Sequence, residues 1–259
     1  MSYQIQRYGW VPDLPDHRDF MYAAPPKVLS QLPASADLTQ GSNFMPDVYD
    51  QGQLGSCTAN AIAGVFQYVR RKEQDTPDFV PSRLFIYYNE RVIERTVDSD
   101  SGAQIRDGVK SINNQGVCPE TDLLYDIKKF TVKPPANCYQ DASKYKATQY
   151  QRLNHQDLNQ LKGCLADGYP FVFGFTVYES FESQQVAQTG IVPMPQQGEN
   201  AVGGHAVVAV GYDDSKRMFK VRNSWGKGWG KEGYCFMPYE YLTNDNLSDD
   251  FWTIRMTSD

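Results

Sequence analysis

Several features that define common protein classes are absent from the sequence. Its 259 residues include only five cysteines and three histidines, with no Cys-X-X-Cys pair and no His/Cys cluster of zinc-finger spacing, so we expect no structural metal. No stretch approaches the roughly 18 apolar residues of a membrane-spanning helix. The N-terminus lacks a positively charged stretch followed by an apolar run. We therefore expect neither a membrane partner nor export through an N-terminal signal.

Concentrated positive charge is missing as well. The chain has 25 Lys and Arg against 31 Asp and Glu, a net charge of -6, and its longest basic runs are Arg70–Lys72 and Lys128–Lys129. Such short runs do not make a phosphate-neutralising surface, so we expect no nucleic-acid partner. The odd number of cysteines favours free thiols and a reducing compartment over a disulfide scaffold, with two bridges beside one free cysteine as the alternative.

The first half of the chain is predicted to be an irregular extension followed by helices. Residues 1–31 are rich in Pro and Asp and lack a sustained apolar period. Helical periodicity then predicts three helices, which open near Ser56, at Pro81–Ser82 and near Gln104. Their predicted apolar faces contain Ala61, Ile62, Val65, Phe66 and Val69 in the first, Leu84, Phe85, Tyr88 and Val92 in the second, and Ile105, Val109 and Ile112 in the third.

The second half is predicted to be mainly β. A fourth helix opens at Asp157 and is closed by Gly168, and apolar runs after it predict five strands. These strands lie at 170–177, 205–212, 218–225, 233–238 and 251–256. A helical part followed by an antiparallel part is typical of the α+β class, and a cleft between two lobes is a natural site for a polymeric substrate. We predict a helical lobe at about 43–145 and a β lobe at about 146–259.

Three separated segments carry the groups of a thiol acyl-transfer site. Cys57 lies in the first turn of a predicted helix, His205 opens a predicted strand, and Asn223 precedes Ser-Trp-Gly. A thiol is a good nucleophile only as the thiolate, which a helix N-terminus and a neighbouring imidazolium both favour. We predict Cys57 as nucleophile, His205 as its acid/base partner and Asn223 as the acceptor that fixes the histidine ring.

Gln51 is predicted to complete this site. It lies six residues before Cys57 in a glycine-containing loop. Its side-chain amide can donate to the oxyanion that develops on an attacked carbonyl, together with the backbone N–H of Cys57. This chemistry needs no metal or organic cofactor.

The order of these groups resembles the papain/cathepsin family of cysteine peptidases, from about Leu32 to the C-terminus. The motifs that carry the resemblance are Gln51, Gly-Ser-Cys at 55–57, His205 followed by a strand, and Asn-Ser-Trp-Gly-Lys-Gly-Trp-Gly at 223–230. The resemblance implies a papain-like two-lobed fold with a β-barrel-like second lobe. It also implies a peptidase domain at 32–259 that hydrolyses peptide bonds, inside peptide or protein substrates, through a thioester acyl-enzyme.

The resemblance extends to the substrate-binding cleft. It implies that Gly174 and Ala206 line a roomy, apolar S2 subsite, the pocket for the second residue before the cleaved bond. Gly204 precedes the histidine where many relatives carry a larger residue, and it is expected at the same cleft. Trp225 resembles the residue that shields the hydrogen bond between Asn and His from water.

The chain also departs from the family pattern. Leu54 replaces a half-cystine, so a disulfide that is familiar in the family cannot form here, and Thr58 replaces the usual aromatic residue after the nucleophile. The family's Gly-Cys-X-Gly-Gly run is missing, and Asp-Ser-Gly-Ala-Gln-Ile-Arg-Asp-Gly at 100–108 stands approximately in its place. We expect these changes to affect specificity more than catalysis.

Residues 1–31 are far shorter than the helical inhibitory propeptide of most relatives. We hypothesise that this extension crosses or neighbours the cleft within the same molecule and restrains activity, as in a zymogen. The hypothesis fails if deletion of the extension leaves both turnover and thiol labelling unchanged.

Several alternatives are set against this interpretation. The same site could transfer the acyl group to an amine, as a transpeptidase or amide ligase does, or the fold could serve as a catalytically silent binding module. Cys57 alone could be a small buried hydrophobe. We expect His17 and His155 to have surface or capping roles, and Cys164 and Cys235 to lie in the core.

Overall fold

The structure, a computed structural model, describes residues 8–258. The helices within these residues are α1 (Pro26–Leu29), α2 (Cys57–Glu73), α3 (Arg83–Glu94), α4 (Ile105–Asn114), α5 (Ala136–Ala142), α6 (Leu158–Ala166), α7 (Gln184–Thr189) and α8 (Tyr239–Thr243). The strands are β1 (Ser35–Asp37), β2 (Ala147–Arg152), β3 (Phe171–Tyr178), β4 (Ala201–Asp213), β5 (Met218–Arg222), β6 (Tyr234–Pro238) and β7 (Ser248–Thr257). The architecture is α+β, as predicted.

Helix α2 lies at the centre of the molecule. All of its residues from Cys57 to Arg70 are buried, because α3 and α4 pack on it together with strands β4 and β7. The Ala, Ile, Val and Phe side chains that recur at helical spacing fill these contacts. The helix ends at Gln74, whose left-handed φ of 64° stops the helical repeat.

The strands form one sheet in the order β2-β7-β3-β4-β5-β6, in which β1 also pairs with β4. Every pairing between these strands is antiparallel. On β3 the alternating residues Phe171, Phe173 and Phe175 are fully buried and pack on one another and on Phe251. This aromatic layer stabilises the face of the sheet behind the candidate site.

The strongly periodic elements form where the sequence predicts them. Helices α2, α3, α4 and α6 and strands β3 to β7 all match predicted segments, and the Ser82 hydroxyl caps α3 by accepting the N–H of Phe85. The prediction that Val92 lies on the buried face of α3 is wrong, since it is 44% exposed. Arg91 is the buried residue of that turn instead, and its guanidinium donates to the carbonyls of Val97 and Ser99.

All five cysteines are free and buried. This confirms free thiols over the alternative of two bridges. Cys164 and Cys235 are 0% and 1% exposed, respectively, as expected for core residues. His17 is exposed, and His155 stacks on Phe251 and pairs with Asp245.

The N-terminal extension is integrated into the fold, although most of its described part is irregular. It forms parallel bridges at Trp10–Ala103 and at Met21–Arg152, and the latter extends the sheet beyond β2. Farther along, Tyr22 and Ala24 are buried in the core that also contains Leu161 and Cys164. The extension therefore supplies core contacts as well as crossing the surface.

Candidate active site

Cys57 begins helix α2 where that helix meets strand β4. Its side chain is 0% exposed, and its Sγ accepts the backbone N–H of Ala206 at 3.4 Å. The predicted nucleophile and the predicted base, His205, are thus brought side by side although they are far apart in sequence. At the first turn of α2, the sulfur also lies near the positive end of the helix dipole, which favours the thiolate.

The hydrogen bonds of His205 determine which ring nitrogen can act as a base. Its Nε2 lies 2.8 Å from Asn223 Oδ1, an oxygen that also accepts the N–H of Ser224 at 2.8 Å. Because an amide oxygen only accepts, Nε2 carries the proton and the neutral ring keeps its lone pair on Nδ1. Among residues 8–258, Nδ1 has no hydrogen-bond partner, so it is the nitrogen left to take the thiol proton.

Gln51 is fixed by the segment that carries Asn223. The backbone N–H of Gln51 donates to Ser224 O at 2.9 Å, and the Ser224 hydroxyl donates to Gln51 Oε1 at 2.7 Å. These bonds settle the orientation of the amide: Nε2 faces the loop before Cys57 and donates one of its two hydrogens to Leu54 O at 3.0 Å. Tyr125 adds a bond from its hydroxyl to the Gln51 carbonyl at 2.9 Å.

Trp225 covers the histidine side of the site. Its ring centroid lies 5.0 Å from that of His205 at a tilt of 31°, and only 3% of the residue is exposed. Phe181 and Trp229 pack on its other sides. The hydrogen bond between His205 and Asn223 is consequently enclosed by aromatic rings.

Both predicted reacting groups are neutral in this enclosed site. Burial raises the pKa of the Cys57 thiol to about 12, against weaker opposing effects of backbone N–H groups that include those of Ala206 and Gly9. Burial also lowers the pKa of His205 to about 4, and its bond to Asn223 only partly offsets this. At neutral pH the structure therefore holds a thiol beside an imidazole rather than an ion pair.

Residues Tyr8–Val11, here called the strap, cross the cleft at the site. The backbone of the strap pairs with both walls of the cleft: Trp10 N donates to Gly204 O at 2.9 Å and Val11 N to Ala103 O at 3.0 Å, while Ala103 N donates to Gly9 O at 2.8 Å. Gly9 passes so close to the loop before Cys57 that a Cβ on it would lie 1.8 Å from Gly55 O. Only glycine fits at this point of the strap.

The Trp10 side chain fills the cleft beside Gly174. A Cβ at Gly174 would lie 2.0 Å from Cε2 of the Trp10 indole. Gly174 is directly opposite Ala206 in the β3–β4 pairing. The structure thus brings Gly174, Gly204 and Ala206 together beside Trp10, and it places the indole against Gly174.

Tyr8 lies at the other end of the strap. Its ring makes an edge contact with His205 at a centroid separation of 6.0 Å and lies 6.3 Å from Trp225. Its hydroxyl donates to Glu182. Burial and this carboxylate raise the pKa of Tyr8 far above its ordinary value, so the hydroxyl remains a donor.

Buried carboxylates fasten the strap to the body of the protein. Asp250 is 0% exposed, and its Oδ2 accepts Trp10 Nε1 at 3.0 Å and the N–H of Asp13 at 2.7 Å. Asp13 in turn accepts Trp252 Nε1 at 2.9 Å and the N–H of Arg106 at 3.1 Å. Burial and the charge of Asp13 raise the pKa of Asp250 to about 7.

Sequence reasoning missed the residues that hold the site together. The individual contacts of Tyr8, Trp10 and Asp250 join positions that lie tens to hundreds of residues apart, and no local pattern marks them. Ser224 and Tyr125 orient Gln51, and only the first could have been suspected, because it belongs to the Asn-Ser-Trp motif.

Residues 8–258 contain no group of three or more His, Cys, Asp or Glu side chains placed to hold a metal ion. No helix in the same residues has the length and apolar character needed to cross a membrane.

Comparison with known proteins identifies the family. The sequence profile of the papain family cysteine proteases matches residues 32–248. The chain therefore belongs to the papain family of cysteine proteases, which are hydrolases. The crystal structure of xylellain, a cysteine protease from Xylella fastidiosa, superposes with a TM-score of 0.89 at 48% sequence identity, covering 96% of this chain and 95% of that one.

More distant relatives agree with this assignment. An uncharacterized peptidase C1-like protein of Acanthamoeba polyphaga mimivirus is 41% identical over 276 aligned positions, which span 98% of this chain and 88% of the relative. Procathepsin B S9 of Trypanosoma congolense, at 19% identity and a TM-score of 0.75, covers 93% of this chain and 84% of its own and shows the same fold. The predicted papain-like fold is confirmed.

Proposed function

We propose that this protein is an endopeptidase that cleaves peptide bonds through a thioester on Cys57. The observation that carries the proposal is the hydrogen bond from His205 Nε2 to Asn223 Oδ1, because it leaves Nδ1 as the proton acceptor beside the thiol. Transfer of the thiol proton to Nδ1 gives the thiolate that attacks the carbonyl carbon. The resulting imidazolium then protonates the leaving amine, and water attacks the thioester with the same nitrogen as base.

The oxyanion of this reaction is assigned to two donors. Gln51 Nε2 has a second hydrogen beyond the one that it donates to Leu54 O, and the backbone N–H of Cys57 is at the free N-terminal turn of α2. Ser224 holds the Gln51 amide in this orientation before substrate arrives. Such preorganisation stabilises the tetrahedral intermediate without reorganisation during the reaction.

Replacement of Gln51 by alanine tests this assignment. We expect kcat to fall about 10²-fold in a form lacking the strap, because one oxyanion donor is lost, while alkylation of Cys57 by iodoacetamide changes little, since alkylation develops no oxyanion. Gln67→Ala is the matched control, because Gln67 is a buried glutamine of α2 that bonds the Tyr49 hydroxyl. Equal kcat in the Gln51 variant and the parent would remove Gln51 from the mechanism.

The substrate proposed is a peptide with a large aromatic residue at P2, the second position before the cleaved bond. This follows from Trp10, whose indole occupies the space that the missing side chain of Gly174 leaves open. Ala206 on the neighbouring strand adds only a methyl group to the same wall. A pocket that holds an indole in the intact protein has room for Phe, Tyr or Trp of a substrate.

Gly174→Ala should act in opposite directions on two forms of the protein. In the intact chain the new Cβ collides with the Trp10 ring, so we expect the strap to loosen and activity to rise. In a form lacking the strap, the same methyl group should lower kcat/KM for peptides with Trp or Phe at P2 about tenfold relative to Val at P2. Gly228→Ala is the control, because an added Cβ there meets nothing within 4 Å, and it should change neither the activity of the intact chain nor the P2 preference of the form lacking the strap. If Gly174→Ala lowered kcat/KM less for peptides with an aromatic P2 than for those with Val, the proposed pocket would be refuted.

We further propose that residues 1–31 are an inhibitory extension and that residues 32–259 form the peptidase domain, with helical and β lobes at about 43–145 and 146–259. The support is the strap, which crosses the cleft over the fully buried Cys57 and His205. Hydrolysis of a P2-varied peptide library by intact and strap-free protein tests this proposal. An added amine nucleophile in the same assay separates hydrolysis from acyl transfer, and Cys57→Ala identifies the thiol-dependent part.

A further inference from the structure

Two loops frame the strap, and a carboxylate joins them. One loop, residues 52–56, connects Gln51 to Cys57; the other, residues 99–103, ends in Ala103, whose backbone pairs with the strap. The N–H of Gly55 in the first loop lies 3.0 Å from Oδ1 and 3.2 Å from Oδ2 of Asp100 in the second. Both carboxylate oxygens of Asp100 therefore face one backbone donor of the loop of residues 52–56.

Tyr87 of α3 holds this carboxylate in place through a hydrogen bond. Its hydroxyl donates to Asp100 Oδ1 and accepts the N–H of Gly102 at 3.2 Å. Tyr87 is 0% exposed, and the Arg91 guanidinium lies over its ring at 4.0 Å. The rigid helix α3 thus fixes the position of the hydroxyl, and the hydroxyl fixes the position of Asp100.

We propose that Asp100 and Tyr87 form a hydrogen-bonded clip. The clip holds the loop of residues 52–56, which lies between the two proposed oxyanion donors, in a fixed position relative to the backbone of Ala103, which pairs with the strap. The proposal rests on the function proposed above. A chain with a half-cystine at position 54 could restrain this loop with a disulfide. This chain has Leu54 instead, and the clip restrains the loop through hydrogen bonds. It needs no oxidation, in keeping with five cysteines that are all free.

The gap between the two loops shows what the clip controls. A Cβ on Gly9 of the strap would lie 1.8 Å from Gly55 O, and a Cβ on Gly102 would lie 2.3 Å from Gly9 O. The gap is therefore the width of one polypeptide backbone, bounded on each side by a residue that the clip holds. We expect a substrate backbone at the thiol to take the place of the strap between the same two residues.

Loss of the clip should affect turnover more than the reactivity of the thiol. Gln51 and the N–H of Cys57 flank the loop that the clip holds, and a displacement of about 1 Å at a reacting centre can cost about 10²-fold in rate. The thiolate itself depends on the imidazole of His205 and on the dipole of the whole of α2, and a shift of about 1 Å in one N–H of the first turn changes that dipole little. Asp100 and Tyr87 are thus positioning residues that act through the two loops.

The test uses protein without the strap, that is, the chain beginning at Pro12. We expect Asp100→Ala and Tyr87→Phe to lower kcat/KM for a peptide 10- to 100-fold, most of it in kcat, while iodoacetamide alkylation of Cys57 changes less than threefold. Asp100→Asn, which keeps one acceptor oxygen, should recover part of the loss. Asp157→Ala is the matched control, because Asp157 also accepts a backbone N–H, that of Asn159 at the start of α6.

The outcomes separate this inference from the proposed function. A parent protein that alkylates but hydrolyses no peptide overturns both the peptidase and the clip that serves it, whereas an active parent with unaffected clip variants overturns the clip alone. If alkylation and hydrolysis fall together, the clip has only a structural role and the proposal is wrong. Tyr87→Phe removes a single oxygen, so the test stands even if Asp100→Ala does not fold.

Discussion

Deletion of residues 1–11, so that the chain begins at Pro12, should raise kcat/KM for peptide hydrolysis about 10³-fold. The strap contributes three backbone hydrogen bonds across the cleft, each with a net free energy of about 1 kcal/mol, and partial burial of the Trp10 indole, about 2 kcal/mol. Their sum, about 5 kcal/mol, corresponds to roughly one open molecule in several thousand before deletion. The measurement is kcat/KM of both forms with a peptide that has Phe at P2.

The position of the deletion matters for the interpretation. A chain that begins at Leu32 also loses the buried ion pair between Asp19 and Arg106, whose side chains are 7% and 4% exposed, and the core residues Tyr22 and Ala24. Leaving Arg106 without its partner costs about 3 kcal/mol or more. Because the closed strap contributes about 5 kcal/mol to the folded intact chain, we expect the Pro12 form to melt roughly 10 to 20 °C below the intact form and the Leu32 form to melt lower still. Equal activity of the intact and Pro12 forms would contradict the inhibitory role of the strap.

Cys57→Ala in the Pro12 form should lower kcat by about 10⁵-fold or more. Removal of the nucleophile leaves only the oxyanion donors and substrate binding, and in hydrolases of the nucleophile–histidine type the loss is of the order of 10⁶. Because Cys57 is a small buried side chain at the start of α2, alanine should preserve the fold. The measurement is hydrolysis of the same peptide, with circular dichroism to compare the folded states.

A second buried thiol provides the control. Cys235 lies in β6 and is 1% exposed, so Cys235→Ala removes a thiol of similar burial without touching the cleft. Its kcat should remain within about twofold of the parent. If Cys57→Ala retained more than about a hundredth of the parent's kcat, another group would have to be the nucleophile.

The three residues predicted as reacting groups could be located in the sequence because each lies in a short, recognisable segment. Cys57 follows Gly-Ser at the start of a strongly periodic helix, and Asn223 lies in a motif with Ser and Trp. In the structure, the bond between His205 and Asn223 and the bond from the N–H of Ala206 to Cys57 Sγ bring the three residues together. Long periodic elements such as α2 were predicted for the same reason, since many residues repeat one signal. Short elements such as β1 and α8, with three and five residues, offer no such repeat.

The closed state of the site could be hypothesised but not worked out from the sequence. That Trp10 rather than another residue lies in the proposed S2 subsite depends on the match between an indole and the bare backbone of Gly174. Its attachment depends on Asp250, a buried carboxylate 240 positions away. Contacts of this kind arise from tertiary packing, for which neither periodicity nor local composition carries a signal.

The pH dependence of Cys57 alkylation tests the central claim most directly. With the pKa of Cys57 raised to about 12 in the closed site, closed molecules hold almost no thiolate at pH 7, so the intact protein should be alkylated mainly through its small open fraction, roughly one molecule in several thousand. In the Pro12 form, solvent and the imidazolium of His205 favour the thiolate, so the rate should already be level between about pH 5 and 8 and exceed that of the intact form about 10³-fold at pH 7. Mass spectrometry assigns the label to Cys57. Coincident pH profiles of the two forms would contradict a thiol–histidine pair that the strap keeps neutral.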